Sequence, residues 1–226
     1  MTTEIKCVYL KNHTLFTNAR EQKISEAASL MKIKTVYRGE TVNYGEGNFS
    51  KIYLLIQGKI KIAEFGNSES ELIKDILSAH DIFGDLSMEG QPPKNEYAEA
   101  LTASTIVCVF NVPDFKKLLQ DNPIMAITYA NMVNAKLRRL EIRHSDLVFR
   151  DTKARLIRFI KSWAQTDGNR KGEKIILNNY LTHTDIANVI ATSRQSVNVL
   201  LNELRDSGVL FYNRKKIELN NTAYWN

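Results

Sequence analysis

Three observations predict an α+β chain. Its first half is a run of short apolar segments punctuated by Gly and Asn. Its middle is one long segment with apolar residues three and four positions apart. Its last third holds two short amphipathic segments and a basic hairpin. A length of 226 residues with 43% hydrophobic side chains suffices for one or two packed domains.

In the first half, Thr35–Tyr37 and Thr41–Tyr44 flank Arg38-Gly39-Glu40, and Lys51–Gln57 and Lys59–Ala63 flank Gly58. Leu72–Leu77, Tyr97–Thr102 and Thr105–Phe110 follow. Short strands at regular spacing with glycine turns predict a sandwich or barrel. Residues 15–31 read as a small helical element before it.

A helix is predicted from Pro123 to Phe149. Proline suits a first helical turn, and Asp121 or Asn122 is placed to cap it. Ala126, Ala130, Val133, Leu137, Leu140, His144 and Leu147 alternate steps of four and three, a heptad seam. Lys136, Arg138, Arg139 and Arg143 surround it, as expected of a helix that meets a copy of itself. A homodimer is therefore expected through Ala130, Val133, Leu137, Leu140, His144 and Leu147.

The last third reads LTHTDIANVIATSRQSVNVLLNELRDSGVLFYNRKKIEL over 181–219. Thr182 and Asp185 have capping-box spacing, and Ile186, Val189 and Ile190 form one stripe. The chain turns at Ala191-Thr192, and either Thr192 or Ser193 caps the next helix. Val197, Leu200, Leu201 and Leu204 give that helix a core face. Arg194, Gln195, Asn198, Asn202 and Arg205 are left for the other. Val209–Tyr212 and Ile217–Leu219 read as strands around a tip that contains Lys215. A helix fits the major groove, where Arg pairs with guanine and Gln or Asn with adenine. Hydroxyls at a helix start, here Ser193 and Ser196, suit phosphate.

Charge supports that reading. The chain has 31 basic and 25 acidic residues; residues 150–226 hold 13 and 7 of them, so the whole excess of +6 lies there. This is the footprint of a nucleic-acid binder. An enzyme is disfavoured, since no Ser-His-Asp set, metal triad or phosphate-cradling glycine loop emerges, and no catalytic or metal-binding residue is nominated. Two cysteines are too few for a disulfide framework, and Cys108 in Ile106–Phe110 reads as a buried strand thiol. No apolar run reaches membrane-span length, and the start MTTEIKCVYLKNH lacks a signal-peptide core. A soluble, cytoplasmic protein is expected.

In this order the motifs resemble the CRP/FNR transcription regulators over nearly the whole chain. The resemblance rests on Gly39-Glu40, Leu54–Gly58, Phe83-Gly84-Asp85-Leu86, Asn122-Pro123, Asp151 before Lys153–Leu156, Leu181-Thr182 with Ile186-Ala187, and Ser193-Arg194. It implies an antiparallel, jelly-roll-like β-roll sensor over residues 1–121, a dimerisation helix over 122–149 and a winged helix-turn-helix over 150–226. It also implies double-stranded DNA with a palindromic operator as partner, and RNA polymerase as a further contact of the family. Relatives carry a polymerase-contacting surface near Thr166–Glu173, where composition alone reads a linker loop.

The resemblance assigns roles by position. Arg194 falls where the family reads a guanine, and Thr182, Thr184 and Ser193 fall on phosphate-contacting positions. Gln195 replaces a frequent Glu, which favours adenine over cytosine. Val199 replaces a second base-reading Arg and offers an apolar contact. Ala191 replaces a frequent turn glycine. In the effector cassette, Gly84-Asp85-Leu86 keeps the ribose-holding run with a shorter acid. The Arg-Ser/Thr pair that holds a cyclic phosphate falls on Asn95-Glu96, and the adenine-facing pair falls on Leu140-Glu141. A carboxylate where a cation is needed disfavours cAMP. Lys94 is the nearest substitute cation. Iron–sulfur relatives need more cysteines, no haem ligand is identified, and His80 reads as a turn residue. No tightly bound cofactor is expected. The alternatives are a sensor acting through protein contacts, and a cAMP-responsive regulator with an altered phosphate site.

Overall fold

The computed structural model describes residues 2–42, 45–46, 49–66, 71–89, 95–220 and 225. By backbone contacts the chain divides into two compact units, Met1–Arg139 and Leu140–Asn226.

The first unit opens with α1 (Thr3–Lys11), a 3-10 turn at Thr14–Phe16 and α2 (Glu21–Leu30). The strands β1 (Lys32–Tyr37), β2 (Thr41–Val42), β3 (Gly45–Glu46), β4 (Phe49–Gln57), β5 (Ile60–Phe65), β6 (Glu71–Leu77), β7 (Ile82–Gly84), β8 (Glu96–Ala100) and β9 (Ser104–Asn111) follow. Then come α3 (Val112–Gln120) and the long α4 (Pro123–Phe149), whose residues from Leu140 on belong to the second unit. Every described pairing is antiparallel, in two sheets ordered β1-β9-β4-β3, with β7 also on β4, and β2-β8-β5-β6.

The apolar run of β4 follows from its place. Tyr53 and Leu55 point between the sheets with Ile60, Ile62, Phe83, Ala98 and Val107. Ile52 and Leu54 point the other way, under α1, α2, α3 and the start of α4, with Phe16, Cys108, Phe110 and Phe115. A strand buried on both faces loses the alternation that a half-solvated strand shows. Cys108 lies fully buried in this second core, and burial raises its thiol pKa to about 12, so it stays protonated and inert. Its assignment as a strand thiol holds, as does that of His80 as a turn residue, whose φ is +76°.

One expectation for this unit is corrected, and one is met as far as the described residues reach. The helical element begins at Thr3, not residue 15, because α1 presents only Leu10 as a fully buried side chain and its apolar signal is weak. The strand expected at Thr41–Tyr44 is β2 up to Val42, and residues 43–44 lie outside the described residues.

Helix α4 is continuous over 27 residues. Met125 and Tyr129 are buried and Val133 packs against the helix-side core. Further along, Leu137, Leu140 and Leu147 are 52%, 59% and 44% exposed, and Ala130 and His144 are exposed too. Most of the seam is thus left uncovered within one chain.

The second unit contains α5 (Thr152–Asp167), β10 (Asn169–Lys171), β11 (Lys174–Asn178), α6 (His183–Ile190), α7 (Arg194–Asp206), β12 (Leu210–Tyr212) and β13 (Lys216–Leu219). Its sheet runs β10-β11-β13-β12, antiparallel throughout. The linker loop read at Thr166–Glu173 is corrected: α5 continues to Asp167, and β10 turns through Gly172 into β11. All three β10 residues are exposed, so the strand has no apolar alternation to betray it. Among the described residues no helix is long and apolar enough to cross a membrane.

Candidate nucleic-acid interface

Helices α6 and α7 owe their angle to a turn held from both sides. Thr182 caps α6: its Oγ1 accepts from the Asp185 N–H at 3.0 Å, and Asp185 Oδ2 accepts from the Thr182 N–H at 2.8 Å. This is the expected capping box. At the other end Ala191 sits in the left-handed region with φ +52°, and the N–H groups of Ala191 and Thr192 both donate to Ala187 O. Ser193, not Thr192, caps α7, accepting from the Ser196 N–H at 3.0 Å. Arg155 of α5 completes the turn. Its Nε donates to Ile190 O at 2.9 Å and its Nη2 to Ala191 O at 3.3 Å, while Nη1 reaches Arg150 O at 2.8 Å. The last carbonyls of a helix lack intrahelical donors, so a planar cation with several donors suits the end of α6.

A left-handed alanine is strained. Ala191→Gly is expected to raise stability by about 1 kcal/mol in urea denaturation, with duplex affinity unchanged. A lower stability would show that the alanine methyl makes a contact worth more than the strain.

Val197, Leu201 and Leu204 of α7 are buried and Leu200 is half-buried, so the core face is as expected. Arg194, Gln195, Asn198 and Val199 form an exposed strip on the other side. Thr182 and Thr184 are exposed beside it, and Ser196 is half-buried with its hydroxyl 2.9 Å from that of Ser193. Thr152, Ser193, Gln195, Ser196, Val199 and Leu200 line an open groove of about 400 Å³. Two of the residues expected on the polar face are occupied otherwise. Asn202 accepts a hydrogen bond from the Tyr212 hydroxyl at 3.2 Å, and Arg205 pairs with Asp206 at 3.1 Å.

The wing is β12, β13 and the tip between them. Asn213 Oδ1 accepts from the N–H groups of Lys215 and Lys216 at 2.8 and 2.9 Å, an Asx turn that leaves the Lys215 side chain exposed. Asn179 braces the tip, donating from Nδ2 to Asn213 O at 2.8 Å and from its N–H to Lys215 O at 2.9 Å. The His183 ring packs on Tyr212 with centroids 5.4 Å apart. Burial, then the nearby Arg194 cation, lowers the His183 pKa from its ordinary value. Arg155, Asn179, His183 and Tyr212 were missed by the sequence reading. Of these only Arg155 carried a signal, as one of the basic stretch Arg150, Lys153, Arg155, Arg158 and Lys161. Part of that stretch is spent within the unit: Arg150 and Arg158 both pair with Asp146, at 2.8 and 2.9 Å, and Lys153 pairs with Glu203 at 3.0 Å.

In the first unit the cassette residues lie at the end of β7 and the start of β8. Gly84 has φ +100°, and a Cβ there would stand 2.3 Å from Lys51 O, so only glycine fits. Asp85 is buried and accepts from the Ser87 hydroxyl at 2.7 Å. The Leu86 carbonyl accepts from the Tyr129 hydroxyl of α4 at 2.7 Å. Asn95 is exposed with φ +61°, and Glu96 pairs with Lys74 at 3.0 Å. Lys74 also pairs with Glu64 at 2.5 Å, so one cation serves two carboxylates. Lys94 lies outside the described residues. Leu140 and Glu141 belong to the second unit, where both are exposed.

Comparison with known proteins bears on both units. A model of the cyclic nucleotide-binding domain matches residues 33–122, and a model of the Crp-like helix-turn-helix domain matches residues 154–224. The chain is 27% identical over 193 residues to the global nitrogen regulator of Synechococcus elongatus, covering 84% of this chain and 86% of the relative. It is also 27% identical over 172 residues to the CRP-like cAMP-activated global transcriptional regulator of Mycobacterium tuberculosis, covering 76% of each. Among solved structures, FixK2 of Bradyrhizobium japonicum superposes with a TM-score of 0.73 at 19% identity, over 86% of this chain and 95% of that one. The chain therefore belongs to the CRP/FNR family of transcription regulators, with an N-terminal roll of antiparallel sheets and a C-terminal DNA-binding helix-turn-helix.

Proposed function

We propose that this regulator acts as a homodimer that reads a two-fold DNA site with α7 and clamps its backbone with the wing. The exposed strip Arg194, Gln195, Asn198 and Val199, on a helix whose start is set by Ser193 and Arg155, carries the reading. Arg194 and Gln195 contact base edges, Val199 offers an apolar contact suited to a thymine methyl, and Asn198 lies on the same strip. Thr182, Thr184, Ser193, Ser196 and Lys215 contact phosphates. The uncovered residues Ala130, Leu137, Leu140, His144 and Leu147 of α4, with the half-buried Val133, form the dimer seam. The three-part division at 1–121, 122–149 and 150–226 assigns sensing, pairing and reading to successive segments.

The effector of the roll is not cAMP in this reading. Glu96 and Glu64 share Lys74, which leaves a net negative charge where a cyclic phosphate needs a cation. Asp85 is engaged with Ser87. These side chains do not fit a cyclic nucleotide.

Selection from random duplexes tests the function. The expected product is a pseudo-palindrome with half-site centres about one helical turn apart. Arg194→Ala then relaxes one base position per half-site at a cost of about 1–3 kcal/mol. Lys215→Ala weakens all sequences alike and reduces the salt slope by about 1 per protomer. No enriched site, with affinity independent of salt, would sink the reading.

A further inference from the structure

Three groups on one side of α4 reach the roll within the first unit. Tyr129 donates to Leu86 O, as described above. Seven residues on, Lys136 Nζ lies 3.4 Å from Asp75 Oδ2. Three further, the Arg139 guanidinium lies 3.4 Å from Asp75 Oδ2 and 3.0 Å from Asp81 Oδ1. Asp75 lies in β6 and Asp81 just before β7, so one helix face is joined to two separate parts of the roll. The carboxylates are 16% and 21% exposed. Burial works against the Arg139 charge, yet Asp75 and Asp81 raise its pKa above the ordinary value. A half-buried pair of this kind is costly to break from one side, because the remaining charge stays partly desolvated.

A sensor helix that depends on a ligand takes its stabilisation from contacts the ligand makes better in one state than in the other. In this chain the helix finds carboxylate partners in the roll itself, and Glu96, which the family resemblance sets at the cyclic-phosphate position, pairs with Lys74, a cation it shares with Glu64.

We propose that the clasp of Lys136 and Arg139 on Asp75 and Asp81 holds α4 on the roll without an effector, so that duplex binding needs no small molecule. The proposal rests on the DNA-reading function above. It gives α4 a second task beside its seam: the seam faces a copy, while the clasp side belongs to the chain's own roll. Arg139 is the principal member, since it alone reaches both acids and makes the shortest of the three contacts, 3.0 Å to Asp81.

The test uses the full chain, with hydrogen exchange of residues 130–139 and affinity for the selected duplex as separate readouts. Lys136→Gln together with Arg139→Gln is expected to raise exchange in that segment about tenfold or more. It is expected to weaken duplex binding about tenfold, with exchange in α7 unchanged. Arg139→Lys, which keeps a charge but loses the fork, falls between. The unsubstituted protein binds its duplex equally well with and without added cAMP or cGMP. Unchanged exchange in the double variant overturns the clasp. Raised exchange with unchanged duplex affinity overturns its link to DNA binding, as does about a tenfold gain in affinity on adding either cyclic nucleotide. If no duplex is bound specifically by the unsubstituted protein, the DNA-reading function fails instead, and the exchange arm still decides whether the clasp holds α4.

Discussion

Leu137→Glu is expected to leave the protein monomeric at micromolar concentration and to weaken operator binding by about 10²–10⁴-fold. The side chain is 52% exposed and absent from both hydrophobic cores, so the substitution costs a single chain little. Across a two-fold seam it opposes a carboxylate to its own copy in an apolar setting, where neither charge has a partner. Loss of pairing makes the two half-sites independent, and each protomer then binds with its own weak affinity. Light scattering gives the mass and a duplex titration gives the affinity. Ile124→Glu is the control, since Ile124 is more exposed than Leu137 but lies off the seam. A dimeric Leu137→Glu protein with full operator affinity would place the interface elsewhere.

The parts of this molecule that were legible in its sequence are those where one residue type answers one physical need. The core face of α7 follows from Val197, Leu201 and Leu204 recurring at helical spacing, and the Thr182–Asp185 box follows from two groups that cap each other. The apolar stripe of α4 was legible for the same reason, and Leu137, Leu140 and Leu147 on it are exposed. Ala191 was readable as a strained turn only because glycine is the usual residue there, and its φ of +52° bears that out.

What escaped is of two kinds. One is local structure without an apolar period: α1 presents Leu10 alone to the core, and β10 is exposed at every residue. The other is pairing between residues distant in sequence. Nothing near Arg155 in the chain announces that its guanidinium will close a turn 35 residues away. Lys74 was not read as a partner of Glu96, yet strands β5, β6 and β8 bring it between Glu96 and Glu64. Asn202 looked free for a base edge until β12 brought the Tyr212 hydroxyl to it. A helical wheel shows which way a side chain faces, and the sheet order shows what it meets there.

His13 is the clearest case of a buried group with no sequence signal, and its burial ties part of the protein's stability to pH. The residue is 1% exposed. Its Nδ1 accepts from the Leu15 N–H at 3.2 Å and so caps the 3-10 turn, while Nε2 lacks a hydrogen bond of normal geometry. Burial lowers its pKa to about 4; the Asp81 backbone only partly offsets this, and the nearby His80 ring lowers it further. In the unfolded chain the same imidazole titrates near its ordinary value of about 6.5. Between those two values the unfolded state takes up a proton that the folded state refuses. The stability that neutral His13 provides is therefore whole above about pH 6.5 and falls as the pH drops toward 4, by about 3 kcal/mol in all. His13→Asn keeps an acceptor for the Leu15 N–H and removes the titration. It is expected to cost about 1–2 kcal/mol at pH 7, where a smaller side chain leaves a void. Below pH 6.5 the gap between the two proteins should close and then reverse, since only the parent loses the histidine contribution. Urea denaturation at steps from pH 7.5 to 4.5 measures this difference directly, and carboxylates that protonate in both proteins cancel from it. A gap that stays constant across the range would mean that the folded protein accepts the proton on His13 as readily as water does.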